Sequence, residues 1–174
     1  MKLHSLIAAA AALAATPATV FAQDWTGPYA GFQIGGSDID VDGAPLTGDG
    51  PSYGVFAGYN IQAGNLVYGG EFDYDTTEYD VDGDAEVDST TRLKGRMGSE
   101  VGGGLLYGAA GLVWATSPEL GDDDGYFFGA GYDLPVSSNM TIGAEVLQHE
   151  FEEYNGGALD VSVTTFKARV AFNF

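Results

Sequence analysis

Five bases carry the most suggestive spacing in this chain. Arg92, Lys94 and Arg96 occupy alternate positions of one segment, and Lys167 and Arg169 do so in another. Glu71 and Asp73 share the same step, and Glu145 stands among apolar residues. Charges at alternate positions project from one face of an extended strand. Two chemistries suit such a set: an ion-pair network that fills an interior, or a gated ion path whose pairs exchange partners. Counting residues from the nearest turns sets Glu71 level with Arg96 or Arg92, and Glu145 level with Arg169. Those are the expected pairs, because a buried charge without a partner is strongly destabilising.

A second spacing concerns carboxylates alone. Asp38, Asp40 and Asp42, followed by Gly43 and then Asp49, fall at the ligand positions of a calcium loop. The last ligand is Asp where Glu is usual, Pro45 interrupts the loop, and no helical pattern flanks it. A strand extension with Ile39 and Val41 on one face is the rival reading, and both stay open. Asp80-Val-Asp82-Gly-Asp84 is a weaker variant with its glycine misplaced. No other cofactor is expected. His149 is the single histidine beyond His4. A lipid-modifying site would pair it with a serine and an acid, but the nearest serine across a hairpin is Ser162, in no recognisable triad motif. No enzyme is therefore expected, and a strand-end or loop role is the plainer reading of His149. The glycine-rich pieces lack the Gly-Lys-Ser/Thr of a phosphate loop.

The elements that must hold these side chains alternate with period two. Thr164, Phe166, Ala168, Val170, Phe172 and Phe174 share one face of the last segment, opposite Thr165, Lys167, Arg169, Ala171 and Asn173. The pattern recurs and predicts eight strands, at 30–36, 52–62, 65–75, 90–100, 104–115, 125–134, 139–149 and 162–174. The fifth is apolar on both faces, so its facing stays open. Connections 37–51, 76–89, 116–124 and 150–161 are long, whereas those at 63–64, 101–103 and 135–138 are short. That asymmetry predicts an all-β, eight-stranded antiparallel up-and-down transmembrane β-barrel. Its short turns and both termini would be periplasmic, and its long loops extracellular. A soluble barrel or sandwich would turn the apolar face inward. The glycines beside the charges (Gly54, Gly58, Gly129, Gly131) suit a crowded lumen instead, and the Tyr and Phe near strand ends suit interfacial girdles.

Composition narrows the partners. The chain has 174 residues, no Cys, and 25 acids against 6 bases, for a net charge of −19. No nucleic acid is expected, since a phosphate backbone needs a basic face. Missing Cys excludes a disulfide scaffold and a thiolate metal site. Met1–Ala22 has the form of a secretory signal: Lys2, an apolar stretch Leu6–Ala15, Thr16-Pro17, and a cleavage site at Val20-Phe21-Ala22. The mature domain would run from Gln23 to Phe174. It would keep five bases, all on the predicted fourth and eighth strands and all facing the lumen. The acids instead crowd the four long loops, which contain no Lys or Arg. Solubility accounts for them; cation attraction at the cell surface, with divalent ions bridging to anionic lipid headgroups, is the functional version.

Several segments together resemble a family. Trp25-Thr-Gly27-Pro-Tyr29-Ala-Gly31 resembles the opening of small outer-membrane barrel proteins, and Gly129-Ala-Gly131-Tyr132, Ile142-Gly-Ala-Glu145 and Phe172-Asn173-Phe174 resemble their later strands. The chain is similar to the alphaproteobacterial outer-membrane immunogenic proteins, to the barrel domain of outer-membrane protein A, and to opacity-type surface proteins. The resemblance implies an eight-stranded barrel in contact with outer-membrane lipid and lipopolysaccharide, with antigenic surface loops. It also implies insertion by the outer-membrane assembly machinery, with Phe172 and Phe174 in the aromatic terminal signal. No peptidoglycan-binding domain is expected after Phe174. The function expected is a structural or surface-interaction role in the envelope, its loop partner unnamed. The alternative is a narrow cation-preferring channel, with a lipid-modifying enzyme behind it.

Overall fold

The computed structural model describes residues 24–41, 49–81, 84–117, 121–151 and 161–174. The expected leader, Asp42, Asp82, Glu119 and residues 152–160 lie outside them. Eight strands follow in order: β1 (Gly27–Val41), β2 (Asp49–Ala63), β3 (Leu66–Val81), β4 (Asp84–Val101), β5 (Gly104–Ser117), β6 (Gly121–Ser137), β7 (Met140–Phe151) and β8 (Val161–Asn173). Each pairs antiparallel with its sequence neighbours, and β1 pairs with β8 to close a barrel. Closure leaves no strand edge unpaired, the only way a sheet can satisfy its backbone in hydrocarbon.

The ladder also sets the tilt. Partners lead from Ala30 through Ala57, Phe72, Leu93, Leu112, Tyr126, Glu150 and Ser162. From Ser162 the path returns to β1 at Asp40, ten residues beyond its start. A stagger of that size over eight strands tilts them by about 40° and leaves a bore that side chains fill.

Three two-residue hairpins close one end. Gly102 and Gly103 both take positive φ, 63° and 86°, as a turn matched to strand twist demands. Gly64-Asn65 and Ser138-Asn139 make the others. At the opposite end the strands outrun expectation. The long connection expected at 76–89 is ladder up to Val81 and Asp84, and β1 and β2 continue as a pair to Asp38 and Asp49. Dense acids gave these stretches the look of loops, yet backbone pairing asks nothing of side-chain polarity. Thr76-Thr-Glu-Tyr-Asp-Val81 still alternates strand formers with acids.

The facing follows the alternation. Phe32, Val55, Phe72, Leu93, Leu112 and Phe128 are about half exposed on the outer wall, from 49% to 64%. Glu71, Asp73, Lys94, Glu145 and Arg169 are nearly inaccessible inside. An apolar outside around a charged inside is the inverse of a soluble protein and the pattern of a membrane barrel. The open facing of β5 resolves with Leu105, Tyr107, Ala109 and Val113 inward.

Candidate functional site

The inward residues of β3, β4, β6, β7 and β8 build one ion-pair network in the lumen. Lys94, on β4, lies at its centre. Its Nζ donates to Glu71 Oε1 at 2.7 Å, to Glu145 Oε1 at 2.8 Å and to Asp73 Oδ2 at 3.2 Å. Arg169 reaches across from β8 to the same two glutamates, Nη2 to Glu71 Oε2 at 2.6 Å and Nη1 to Glu145 Oε2 at 2.9 Å. Arg96 donates to Asp133 Oδ2 at 2.6 Å and to Glu71 at 3.4 Å. Nearer the other end, Asp75 accepts from both Arg92 and Lys167. Five carboxylates thus face five bases, so the described lumen is balanced without an imported ion.

Aromatic groups lock the arrangement. Tyr29 Oη donates to Glu71 at 2.8 Å, and Tyr107 Oη to Glu145 at 3.0 Å. The Arg96 guanidinium lies 3.8 Å from the Tyr107 ring centroid, and that of Arg169 lies 4.1 Å from Phe56. Cation–ring stacking of this kind strengthens when desolvated. The side chains are also crowded against backbone: a Cβ on Gly129 would stand 2.0 Å from the Val146 carbonyl oxygen.

The partners differ in part from those read off the sequence. Glu145 and Arg169 meet, as do Glu71 and Arg96, whereas Arg92 turns to Asp75 and lies 3.9 Å from Asp73. Lys94, expected only as a member, holds most of the carboxylates. Asp75, Asp133, Tyr29, Tyr107 and Gln33 were absent from the expected set. Asp75 alternates with Glu71 and Asp73, and Asp133 with Gly129 and Gly131, so strand parity was the signal that could have found those two; β1 and β5 carried no recognised lumen residue to count from.

His149 needs a correction. It is no interfacial or loop residue: it is 2% exposed, inside the lumen on β7. Arg92 Nε donates to its Nε2 at 2.8 Å, so Nδ1 carries the proton and faces the Val163 carbonyl at 3.2 Å. An imidazole whose lone pair is taken by a guanidinium is not available as a general base. Ser162 bonds Gln148 instead.

Asp38 and Asp40 lie in β1 and Asp49 in β2, with Asp38 opposite Asp49, so the strand extension is realised in the backbone. Asp42 and its neighbours lie outside the described residues. Among the described residues no group of three or more His, Asp or Glu is arranged to hold a metal ion.

At the tight-turn end Trp25 folds under the barrel. Its Nε1 donates to Glu100 Oε1 at 3.0 Å, and its backbone N to Gln62 Oε1 at 3.0 Å. Phe172 and Phe174 lie on the outer wall beside β1, 39% and 80% exposed.

The family model of the outer membrane protein beta-barrel domain matches residues 5–174. The 22 kDa outer membrane protein of Rhizobium leguminosarum bv. viciae is 31% identical over 154 residues, covering 80% of this chain and 71% of that protein. Among solved structures, Neisserial surface protein A has a TM-score of 0.63 at 14% identity, over 86% of this chain and 98% of that one. The outer membrane protein OprG of Pseudomonas aeruginosa has a TM-score of 0.55 at 15% identity, over 87% and 98%. At these identities the two structures speak for the fold.

Proposed function

The chain belongs to the outer membrane protein beta-barrel domain family, whose place is the bacterial outer membrane, and on that premise we propose that it is a non-catalytic envelope barrel with a structural and surface-contact role. The observation that carries this reading is the filled, charge-balanced lumen. Lys94 and Glu71 are only 1% and 2% exposed, and each is held by several partners, so their side chains fill the lumen at that level. The tight turns and both termini face the periplasm in this reading. The acidic ends of the strands face outward, among lipopolysaccharide and lipid headgroups. The assembly machinery engages the chain through the aromatic terminal strand bearing Phe172 and Phe174 during insertion. Divalent cations, calcium included, bridge the acidic connections to anionic headgroups.

One observation favours a second reading, a narrow cation-preferring channel. Lys94 has three carboxylates within reach, so it can leave one partner without becoming unpaired. Planar-bilayer recording of the refolded barrel decides between the two. A filled barrel gives no discrete steps at physiological salt; cation-selective steps that Lys94→Gln alters would establish the channel and overturn the first reading. Lipid A of unchanged mass in a deletion strain is expected if the protein performs no lipid chemistry.

A further inference from the structure

A small polar cavity lies in the lumen at the tight-turn end. Trp25, Asn60, Arg96, Arg169, Ala171 and Asn173 are among its walls, and it leaves about 10 Å³ for the centre of a water molecule. That is room for one water and nothing larger. Four buried polar atoms of these walls have no protein partner: Arg96 Nε, Arg169 Nε, Asn173 Nδ2 and Asn60 Oδ1. The first three are donors and the last an acceptor.

Each Nη atom of the two arginines already has a partner elsewhere. Arg96 uses its Nη atoms on Asp133, Glu71 and Tyr29, and Arg169 uses its own on Glu71, Glu145 and Tyr107. Their charges are therefore already met by carboxylates. The free Nε–H groups require an acceptor, not a further charge, because a buried donor without a partner bears its full desolvation cost.

We propose that this cavity is a binding site for a single long-lived water that accepts from Arg96 Nε–H and Arg169 Nε–H and donates to Asn60 Oδ1. Charge and hydrogen-bond capacity select water over a small anion. A halide would satisfy the donors but leave the Asn60 oxygen facing it, and would add negative charge beside Glu71 and Asp133. Trp25, its indole held by Glu100 and its backbone N by Gln62, forms the wall of the site at the turn end, and exchange with bulk solvent is proposed to pass that ring. The site couples the two arginines through a shared solvent molecule, and the lumen is hydrated at this end.

The full barrel, labelled with ¹⁵N-arginine and refolded in detergent micelles, provides the test. Arg92 is an internal reference, since its Nε–H is given to His149. Nuclear Overhauser measurements at the water frequency are expected to show cross peaks from the Arg96 and Arg169 Nε–H groups, with the sign of a long-lived contact, and none from Arg92. Ala171→Leu puts a larger side chain into the same cavity. It should abolish both cross peaks while the barrel keeps its gel shift on boiling. Should that variant not fold, Trp25→Ala opens the exit, and its cross peaks should lose the long-residence sign. Absence of both cross peaks in the parent, or equal peaks at all three arginines, would overturn the proposal. Nε shifts that change when fluoride replaces bromide at constant ionic strength would overturn it in favour of a bound anion.

Discussion

The lumen is filled in two ways that share one wall. On the β5–β6 side Leu105, Val113 and Phe127 pack with Leu147 and Phe151 as an ordinary apolar cluster. On the β3–β4 and β8 side the same depth is occupied by Glu71, Asp73, Asp75, Arg92, Lys94, Lys167 and Arg169. Both sides are equally sealed. The apolar side is held by volume, so a smaller residue costs what the lost contacts and the cavity cost. The charged side is held by completeness, so its energy depends on whether each remaining charge keeps a partner.

The sharpest way to break the charged side is to remove its hub. Lys94→Met removes the one cation shared by Glu71, Asp73 and Glu145, and should destabilise the barrel by about 3–5 kcal/mol in urea unfolding from lipid vesicles. Adding Glu145→Gln to that variant should recover part of the loss; strict additivity would show that the two are not coupled. On the apolar side Leu147→Ala should cost about 2–4 kcal/mol in the same assay, with no recovery from any charge change. Glu145→Gln alone should cost less, about 1–3 kcal/mol, because Lys94 and Arg169 both keep Glu71. The smallest effect belongs outside. A Cβ on Gly70 would have no atom nearer than 3.9 Å. Gly70→Ala should therefore shift stability by under about 0.5 kcal/mol, as surface substitutions do.

The two sides were not equally legible in the sequence. Strand number, order and facing followed from alternation, because an apolar wall outside and charges inside give every strand two unlike faces. β5 was the exception: both of its faces are apolar, so Leu105 and Val113 could equally have met lipid. Individual pairs were harder. The ten-residue stagger brings Glu71 on β3 to Arg169 on β8 across the lumen, a contact no count along neighbouring strands predicts. His149 was misplaced because its distance from the strand centre was weighed above its parity with Glu145 and Leu147. The strand extensions were missed because acids were read as loop.

The β1–β8 seam sets an order of events. Three ladders, β2–β3, β4–β5 and β6–β7, are closed by turns of two residues and can form locally. The seam joins Tyr29 to Asn173 and Ile34 to Ala168, at opposite ends of the sequence. Contacts of that separation bear the largest loop-closure cost and belong late on a folding path. Until they form, two strands expose unpaired backbone that hydrocarbon cannot satisfy. Closure of this single seam is therefore the natural rate-limiting step of insertion. A lesion there should lengthen the lifetime of the half-built sheet far more than it weakens the finished barrel.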